Sequence, residues 1–151
     1  MSKFSDPLLF STDSFSDARG AFNNIFRCIS EPYSSFWADK VVSQINVSIT
    51  NKVGTVRGLH FQKLPHTEAK IVKCLRGRVW DVIVDIRQDS LHFGKWKCFD
   101  LNSQSNDSLF IPEGFAHGFQ SLVDEVFVIY LHTKKYEPEN EDGFFVEDSL
   151  L

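Results

Sequence analysis

Short apolar segments recur along most of this chain at intervals of about ten residues, and no connection of helix length separates them. Each is rich in Val, Ile and aromatic residues and runs or alternates as β-strands do. The segments are Gln44–Thr50, Lys70–Cys74, Arg78–Ile86, Trp96–Leu101, Ser108–Ile111, His117–Ser121 and Val126–Thr133. Because turn residues stand between them, the pattern predicts an all-β fold, an antiparallel sandwich or barrel rather than a parallel sheet.

Little in the chain favours helix or a second domain. Phe accounts for 15 of the 151 residues, with only 8 Gly and 5 Pro, which favours broad apolar sheets over a helical bundle. This length predicts one domain over residues 1–151 with its own core. A short helix is predicted over Pro32–Ala38, and the acidic stretch Tyr136–Leu151 is predicted to be a solvated turn followed by a short strand or tail.

Charge and cysteine content exclude several classes of protein. Sixteen basic and 20 acidic side chains give a net charge of −4, so extended nucleic-acid binding is disfavoured, whereas a compact anion held by a few cations is not. Cys28, Cys74 and Cys98 are an odd number without C-x-x-C spacing, and no signal segment or membrane-spanning run is found. We therefore expect a reduced, cytoplasmic compartment and no membrane partner.

The densest polar cluster is the segment Arg57–Gln62. Alternation in a strand puts Leu59 and Phe61 on one face and Gly58, His60 and Gln62 on the other. If the polar face points into a barrel, it lines a pocket. The alternative is an edge strand with His60 facing water.

A second cluster, Ile111–Phe119, has the P-x-G-x-x-H pattern of the second cupin motif. Its turn delivers His117 onto a strand, and Gly118 leaves room for a ligand or another backbone. A metal-binding cupin would also need His-x-His in its first motif, where this chain has His60 and Gln62. Because the spare histidines His66, His92 and His132 have no matching spacing, we predict no metal site.

Charged residues also interrupt two apolar strands. Alternation places Lys70 on the face of Val72 and Cys74, and Asp81 on the face of Asp85. A buried Lys or Asp needs a charged or hydrogen-bonding partner. The alternative is a surface charge at the barrel mouth, which we expect for Asp85 rather than for Asp81.

These clusters, with the Ala69–Val72 run, Trp80–Arg87, Phe93–Trp96 and Ile111–Phe119 in this order, resemble the dTDP-4-dehydrorhamnose 3,5-epimerases over about residues 15–148. The resemblance implies an antiparallel cupin-type jelly-roll barrel, a homodimer, and no metal or other cofactor. It also implies an isomerase that inverts carbon 3, carbon 5 or both of a dTDP-4-keto-6-deoxyhexose on the route to dTDP-rhamnose and cell-surface polysaccharide. Such chemistry needs a base, a cation near the enolate oxygen and an acid on the other sugar face.

The resemblance also implies roles for individual residues. His60 matches the base, Lys70 the cation and Tyr130 the reprotonating acid. Substrate contacts are implied for the following residues: Arg57, Gln62 and His117 in the sugar pocket, Asp81 orienting His117, and Arg19, Gln44 and Asn46 at the nucleotide and its phosphates, some of them supplied across the dimer.

One family feature has no match. The family's catalytic histidine is hydrogen-bonded to an aspartate beyond the position of Asp148, and this sequence ends at Leu151. We therefore expect a short member without that segment, in which Asp81, Glu147 or Asp148 substitutes, or His60 acts unaided, or epimerisation is lost. The alternatives are a non-catalytic nucleotide-sugar-binding cupin, a metal-dependent cupin and, less favoured, a nucleotide-sugar 3,4-ketoisomerase.

Overall fold

The computed structural model describes residues 6–28, 31–37 and 40–145. Its strands are β1 (Leu8–Ser11), β2 (Ser14–Asp17), β3 (Gly20–Asn23), β4 (Gln44–Thr50), β5 (Val56–Gln62), β6 (Lys70–Arg76), β7 (Arg78–Asp85), β8 (Trp96–Asn102), β9 (Asp107–Ile111), β10 (Phe115–Ser121), β11 (Val126–His132) and β12 (Glu141–Gly143). One α-helical turn, α1 (Tyr33–Phe36), and a 3-10 turn (Pro138–Asn140) complete the described elements. No helix in these ranges is long and apolar enough to cross a membrane.

The strands form two five-stranded antiparallel sheets and a separate hairpin. The first sheet has the order β1-β9-β6-β11-β4 and the second the order β12-β5-β10-β7-β8, while β2 pairs with β3 alone. Sequence neighbours such as β9 and β10 lie in different sheets, as in a jelly roll. The predicted antiparallel all-β fold is confirmed.

The core lies between the two sheets. It contains inward-facing side chains of both, among them Val72, Ile83, Leu109, Phe119 and Val128. A second apolar cluster covers the outer face of the first sheet, where Tyr33, Phe36 and Trp37 of the α1 region pack on Phe110. The apolar face predicted for this helix is therefore correct, although only one turn is helical and Ala38 lies outside the described residues.

Most predicted strands are confirmed within two residues at each end, and β4 matches at both. The strands β1, β2 and β3 were not predicted. Each has only four residues, which are too few to establish a period, although Phe10 of β1 is buried between exposed neighbours. The hairpin is exposed along its whole length and lacks the alternation that burial of one face produces. The acidic C-terminal stretch forms the predicted turn and short strand up to Phe145, and residues 146–151 lie outside the described part.

The structure corrects the expectation of a surface charge at Asp85. This side chain is 2% exposed and accepts hydrogen bonds from Arg87 Nε at 2.9 Å and Ser90 Oγ at 2.7 Å. The backbone nitrogen of Arg87 donates a further bond to it at 3.0 Å. Arg87, two residues after Asp85, is therefore the cationic partner that offsets the cost of burying this carboxylate.

Candidate active site

A cavity of about 560 Å³ opens between the sheets. Its walls come from β4 and β11 of the first sheet, β5 of the second, and the segment 136–141. The lining side chains with polar groups are Gln44, Asn46, Ser48, Arg57, His60, Gln62, Glu68, Tyr130, His132, Tyr136 and Glu141. A larger open space of about 950 Å³ shares Gln62 and Glu68 with it and reaches Lys70.

His60 projects into the cavity from β5, which is the first of the two alternatives that the sequence left open. Its strand lies unusually close to β10, since a Cβ on Gly118 would stand 2.5 Å from the Arg57 carbonyl oxygen. The room left by Gly118 is therefore filled by another backbone, and His60 and His117 face each other with ring centres 6.2 Å apart. Burial and the nearby Lys70 ammonium lower the pKa of His60 to about 3, so its imidazole is neutral at pH 7.

Lys70 begins β6 and is 2% exposed. Its ammonium Nζ lies 3.2 Å from Glu68 Oε1, and the other carboxylate oxygen of Glu68 accepts a hydrogen bond from His132 Nδ1 at 2.9 Å. Burial alone would raise the pKa of Glu68, but the bond from His132 and the Lys70 charge lower it to about 2. The Lys70 charge therefore has a buried counter-ion inside the cavity wall.

Tyr130 lies on β11 with its ring between two histidines. Ring centres are 6.3 Å apart for Tyr130 and His117 and 5.8 Å for Tyr130 and His132. Its hydroxyl lies 3.2 Å from Ser48 Oγ, within hydrogen-bond range. Burial raises the pKa of Tyr130 to about 12, so this phenol keeps its proton through the neutral range.

Asp81 lies behind His117, not beside His60. His117 Nε2 donates to Asp81 Oδ2 at 2.8 Å, and both side chains are fully buried. Asp81 thus orients His117 as the resemblance implied, but neither a substrate contact nor the role of partner to His60 fits its position. Glu147 and Asp148, the other suggested partners, lie outside the described residues. Within the described part, no carboxylate is hydrogen-bonded to the His60 ring.

Arg57, expected in the sugar pocket, and the three residues expected at the nucleotide divide into two groups. Gln44, Asn46 and Arg57 line the cavity, and Arg57 is fixed by bonds that it donates to Thr50 Oγ1 and the Ile49 carbonyl oxygen. Arg19 instead lies on the exposed β2–β3 turn, where it pairs with Asp17.

Gln62 also lines the cavity, but its amide is already bonded to the protein. Its Nε2 donates to the Lys135 carbonyl oxygen at 3.3 Å, and its Oε1 accepts from the Glu137 backbone nitrogen at 2.8 Å. This side chain ties the C-terminal segment to β5, which is a different task from the sugar contact that the resemblance implied.

The sequence reasoning missed Glu68 and set His132 aside. One signal was available: Glu68 stands two residues before Lys70, the first residue of β6, and Tyr130 and His132 are two residues apart on one face of β11. Their meeting depends on the β6–β11 register, which places Lys70 opposite His132. Among the described residues, no group of three or more His, Cys, Asp or Glu side chains is arranged to hold a metal ion.

Comparison with known proteins identifies the family. The family model for dTDP-4-dehydrorhamnose 3,5-epimerase matches residues 1–151. A protein of that name from Sinorhizobium fredii is 39% identical over 137 residues, which cover 91% of this chain and 69% of that protein. The chain belongs to the dTDP-4-dehydrorhamnose 3,5-epimerase family.

Solved structures of dTDP-4-dehydrorhamnose 3,5-epimerases and related enzymes share the fold. The Bacillus anthracis enzyme with TDP and pyrophosphate bound has a TM-score of 0.90 and 34% identity, covering 99% of this chain and 84% of that one. A dTDP-6-deoxy-D-glucose-3,5-epimerase from Legionella pneumophila, in complex with dTDP-4-keto-L-rhamnose, has a TM-score of 0.88 and 32% identity, covering 98% and 77%. These matches confirm the predicted cupin-type fold. They also confirm the predicted enzyme class, an isomerase of the dTDP-4-dehydrorhamnose 3,5-epimerase family.

Proposed function

We propose that this chain epimerises a dTDP-linked 4-keto-6-deoxyhexose at carbon 3, carbon 5 or both. The observation that carries the proposal is that His60 and Tyr130, from different sheets, line one polar cavity, and that Glu68 in its wall contacts Lys70 of the adjoining space. Relatives crystallised with TDP or a dTDP-keto sugar support the substrate class.

The proposed reaction is a proton transfer through an enolate. Neutral His60 removes the proton from the carbon beside the 4-ketone, and the electron pair moves onto the ketone oxygen. The Lys70 ammonium stabilises that oxyanion in a site of low dielectric, where such a charge acts strongly. Tyr130 then donates its proton to the opposite face of the same carbon as the ketone re-forms. His60 loses a proton and Tyr130 regains one through solvent, so the product is an isomer.

We further propose a homodimer that completes the nucleotide site. The β2–β3 hairpin exposes Phe15 by 62% and Phe22 by 74%, and these two residues face each other across it. Exposed apolar patches of this kind are typical of protein interfaces. A partner covering the hairpin would bring Arg19 to the other subunit's diphosphate, whose charge a guanidinium matches well. We also propose that residues 1–151 form one domain and act in the cytoplasm.

Deuterium exchange tests the chemistry directly. The protein is incubated with dTDP-4-keto-6-deoxyglucose in D₂O, and NMR locates the deuterium. We expect exchange at carbon 3, carbon 5 or both, and its loss in His60→Ala. In Tyr130→Phe, exchange by His60 on one face should persist while inversion is lost.

His66→Ala provides a matched control, since His66 lies outside the cavity lining. It should exchange at the wild-type rate. Failure of the wild-type protein to exchange any 4-keto nucleotide sugar would contradict the proposal. Binding of dTDP without exchange would instead identify a non-catalytic binding protein.

A further inference from the structure

A single carboxylate joins two basic side chains in the cavity wall. Glu68 precedes β6, and its two oxygens contact Lys70 Nζ at 3.2 Å and His132 Nδ1 at 2.9 Å. The side chains of Lys70, Glu68 and His132 are 2%, 9% and 13% exposed. Because water screens these charges so little, the attraction between them is stronger than in a surface ion pair and offsets part of the cost of burying them.

The backbone around this group is held on both sides. Lys70 is the register partner of His132 in the β6–β11 pair. Next to them, the Ala69 nitrogen donates to Thr133 Oγ1 at 2.9 Å, and the Thr133 nitrogen donates to the Ala69 carbonyl oxygen at 3.0 Å. Lysine has a flexible four-carbon stem, so an ammonium without such an anchor samples many positions. Glu68 limits Lys70 to one of them.

His132 connects the same carboxylate to the acid. Since an ionised carboxylate can only accept, Nδ1 of His132 carries the proton. Its Nε2 is buried and has no hydrogen-bond partner among the described residues. The imidazole stacks on Tyr130 at 5.8 Å with an angle of 24° between the rings. One edge of the His132 ring therefore contacts Glu68, which anchors Lys70, and the face of the ring contacts Tyr130.

We propose that Glu68 and His132 form one positioning unit, which fixes the Lys70 ammonium for the developing oxyanion and holds the Tyr130 ring beside it. The unit rests on the proposed function, because it is defined by what Lys70 and Tyr130 do. Neither Glu68 nor His132 is assigned a step of bond making or breaking. The other titratable or charged groups around the unit include Arg57 and His60 on β5, Cys74 on β6, Asp81 on β7 and His117 on β10.

Four variants test the positioning unit by steady-state kinetics. Glu68→Gln removes the charge that holds Lys70, and His132→Phe keeps a stacking ring but removes the Nδ1 donor. Each should lower kcat about 10- to 100-fold with KM unchanged, since a small misplacement of a reacting group costs that much. His132→Asn, whose amide nitrogen can replace Nδ1, should restore kcat to within about threefold. Glu125→Gln, at an exposed turn, is the matched control and should behave as wild type.

A double variant separates positioning from a structural role. Because the two residues act as a unit, the kcat of the double variant Glu68→Gln/His132→Phe should lie within about threefold of the kcat of the slower single variant. Additive losses, or KM rising in step with falling kcat, would overturn the proposal.

NMR of the histidine side chains supplies a test that needs no activity. In the wild-type protein, long-range ¹H–¹⁵N correlations should show a proton on Nδ1 of His132, and Glu68→Gln should perturb its signals. A wild-type His132 protonated on Nε2 alone would overturn the proposal even if the enzyme is active. If the wild-type protein exchanges no deuterium while His132 shows the expected tautomer, the proposed function fails and the Glu68–His132 contact stands.

Discussion

His60 shows how one side chain's surroundings decide its protonation state. It is half-buried, and its near neighbours Lys70 and His117 both disfavour a second positive charge. Burial and these two neighbours together lower the pKa of His60 from 6.5 to about 3. A base must be neutral to accept a proton, and His60 meets this condition at pH 7, while the same shift makes it a weaker base than a free imidazole.

The same pKa shift makes the folded state sensitive to acid. Between pH 6.5 and 3 the unfolded chain protonates His60 and the folded chain does not, so stability falls as the pH falls through this window. We expect wild type to lose about 1 kcal/mol per pH unit more than His60→Gln between pH 6 and 4.5. Urea unfolding of both proteins measures this. Parallel curves of stability against pH would show that His60 is protonated alike in both states.

At the scale of an element, the end of β7 shows how a strand is fixed to the loop that follows it. The Asp85 carboxylate binds the Arg87 guanidinium, the Arg87 backbone nitrogen and Ser90 Oγ. Burial alone would raise the pKa of Asp85, but the hydrogen bonds from Arg87 and Ser90 lower it to about 2. The contribution of these bonds to stability is therefore fully present above pH 3.8 and is lost as the pH falls toward 2.

Asp85→Asn should destabilise the protein by roughly 2 kcal/mol at pH 7, less than for a fully buried pair because Arg87 is partly exposed. Chemical unfolding at pH 7 measures the difference. Asp89→Asn, in the exposed part of the same loop, is the matched control and should change stability by less than about 0.5 kcal/mol. Equal stability of the Asp85 and Asp89 variants would refute the anchoring role.

Elements were predictable from the sequence where apolar and polar residues alternate, and site residues only as far as the face of a single strand. The bounds of β4 come directly from period-2 patterning, whereas for His60 and Lys70 the pattern left open whether the side chain points inward or to water. The exposed hairpin β2–β3 has no such pattern. Glu68 and His132 meet only because β6 pairs with β11 in one register, and residues 64 positions apart give no local signal of that contact.

At the scale of the whole molecule, one residue expected at the nucleotide lies away from the cavity. Arg19 belongs to a hairpin whose strands pair with each other and with no other described strand, and the cavity lining does not include it. Within the described part of the chain, its guanidinium is paired only with the neighbouring Asp17, and both side chains are largely exposed. A surface pair of this kind adds little to stability, so the arginine is free to serve another subunit.

Subunit complementation tests whether Arg19 acts across the proposed dimer. Arg19→Ala and His60→Ala are co-expressed with different tags, and the heterodimer is purified and assayed at low substrate concentration. If Arg19 acts in the partner's site, one of the two sites combines an intact His60 with an intact Arg19, so the heterodimer should have about half the wild-type activity. Each homodimeric variant should be far less active, because every one of its sites lacks a required group. If Arg19 acts within its own chain, the heterodimer cannot exceed about half the activity of Arg19→Ala, since no site then holds both residues.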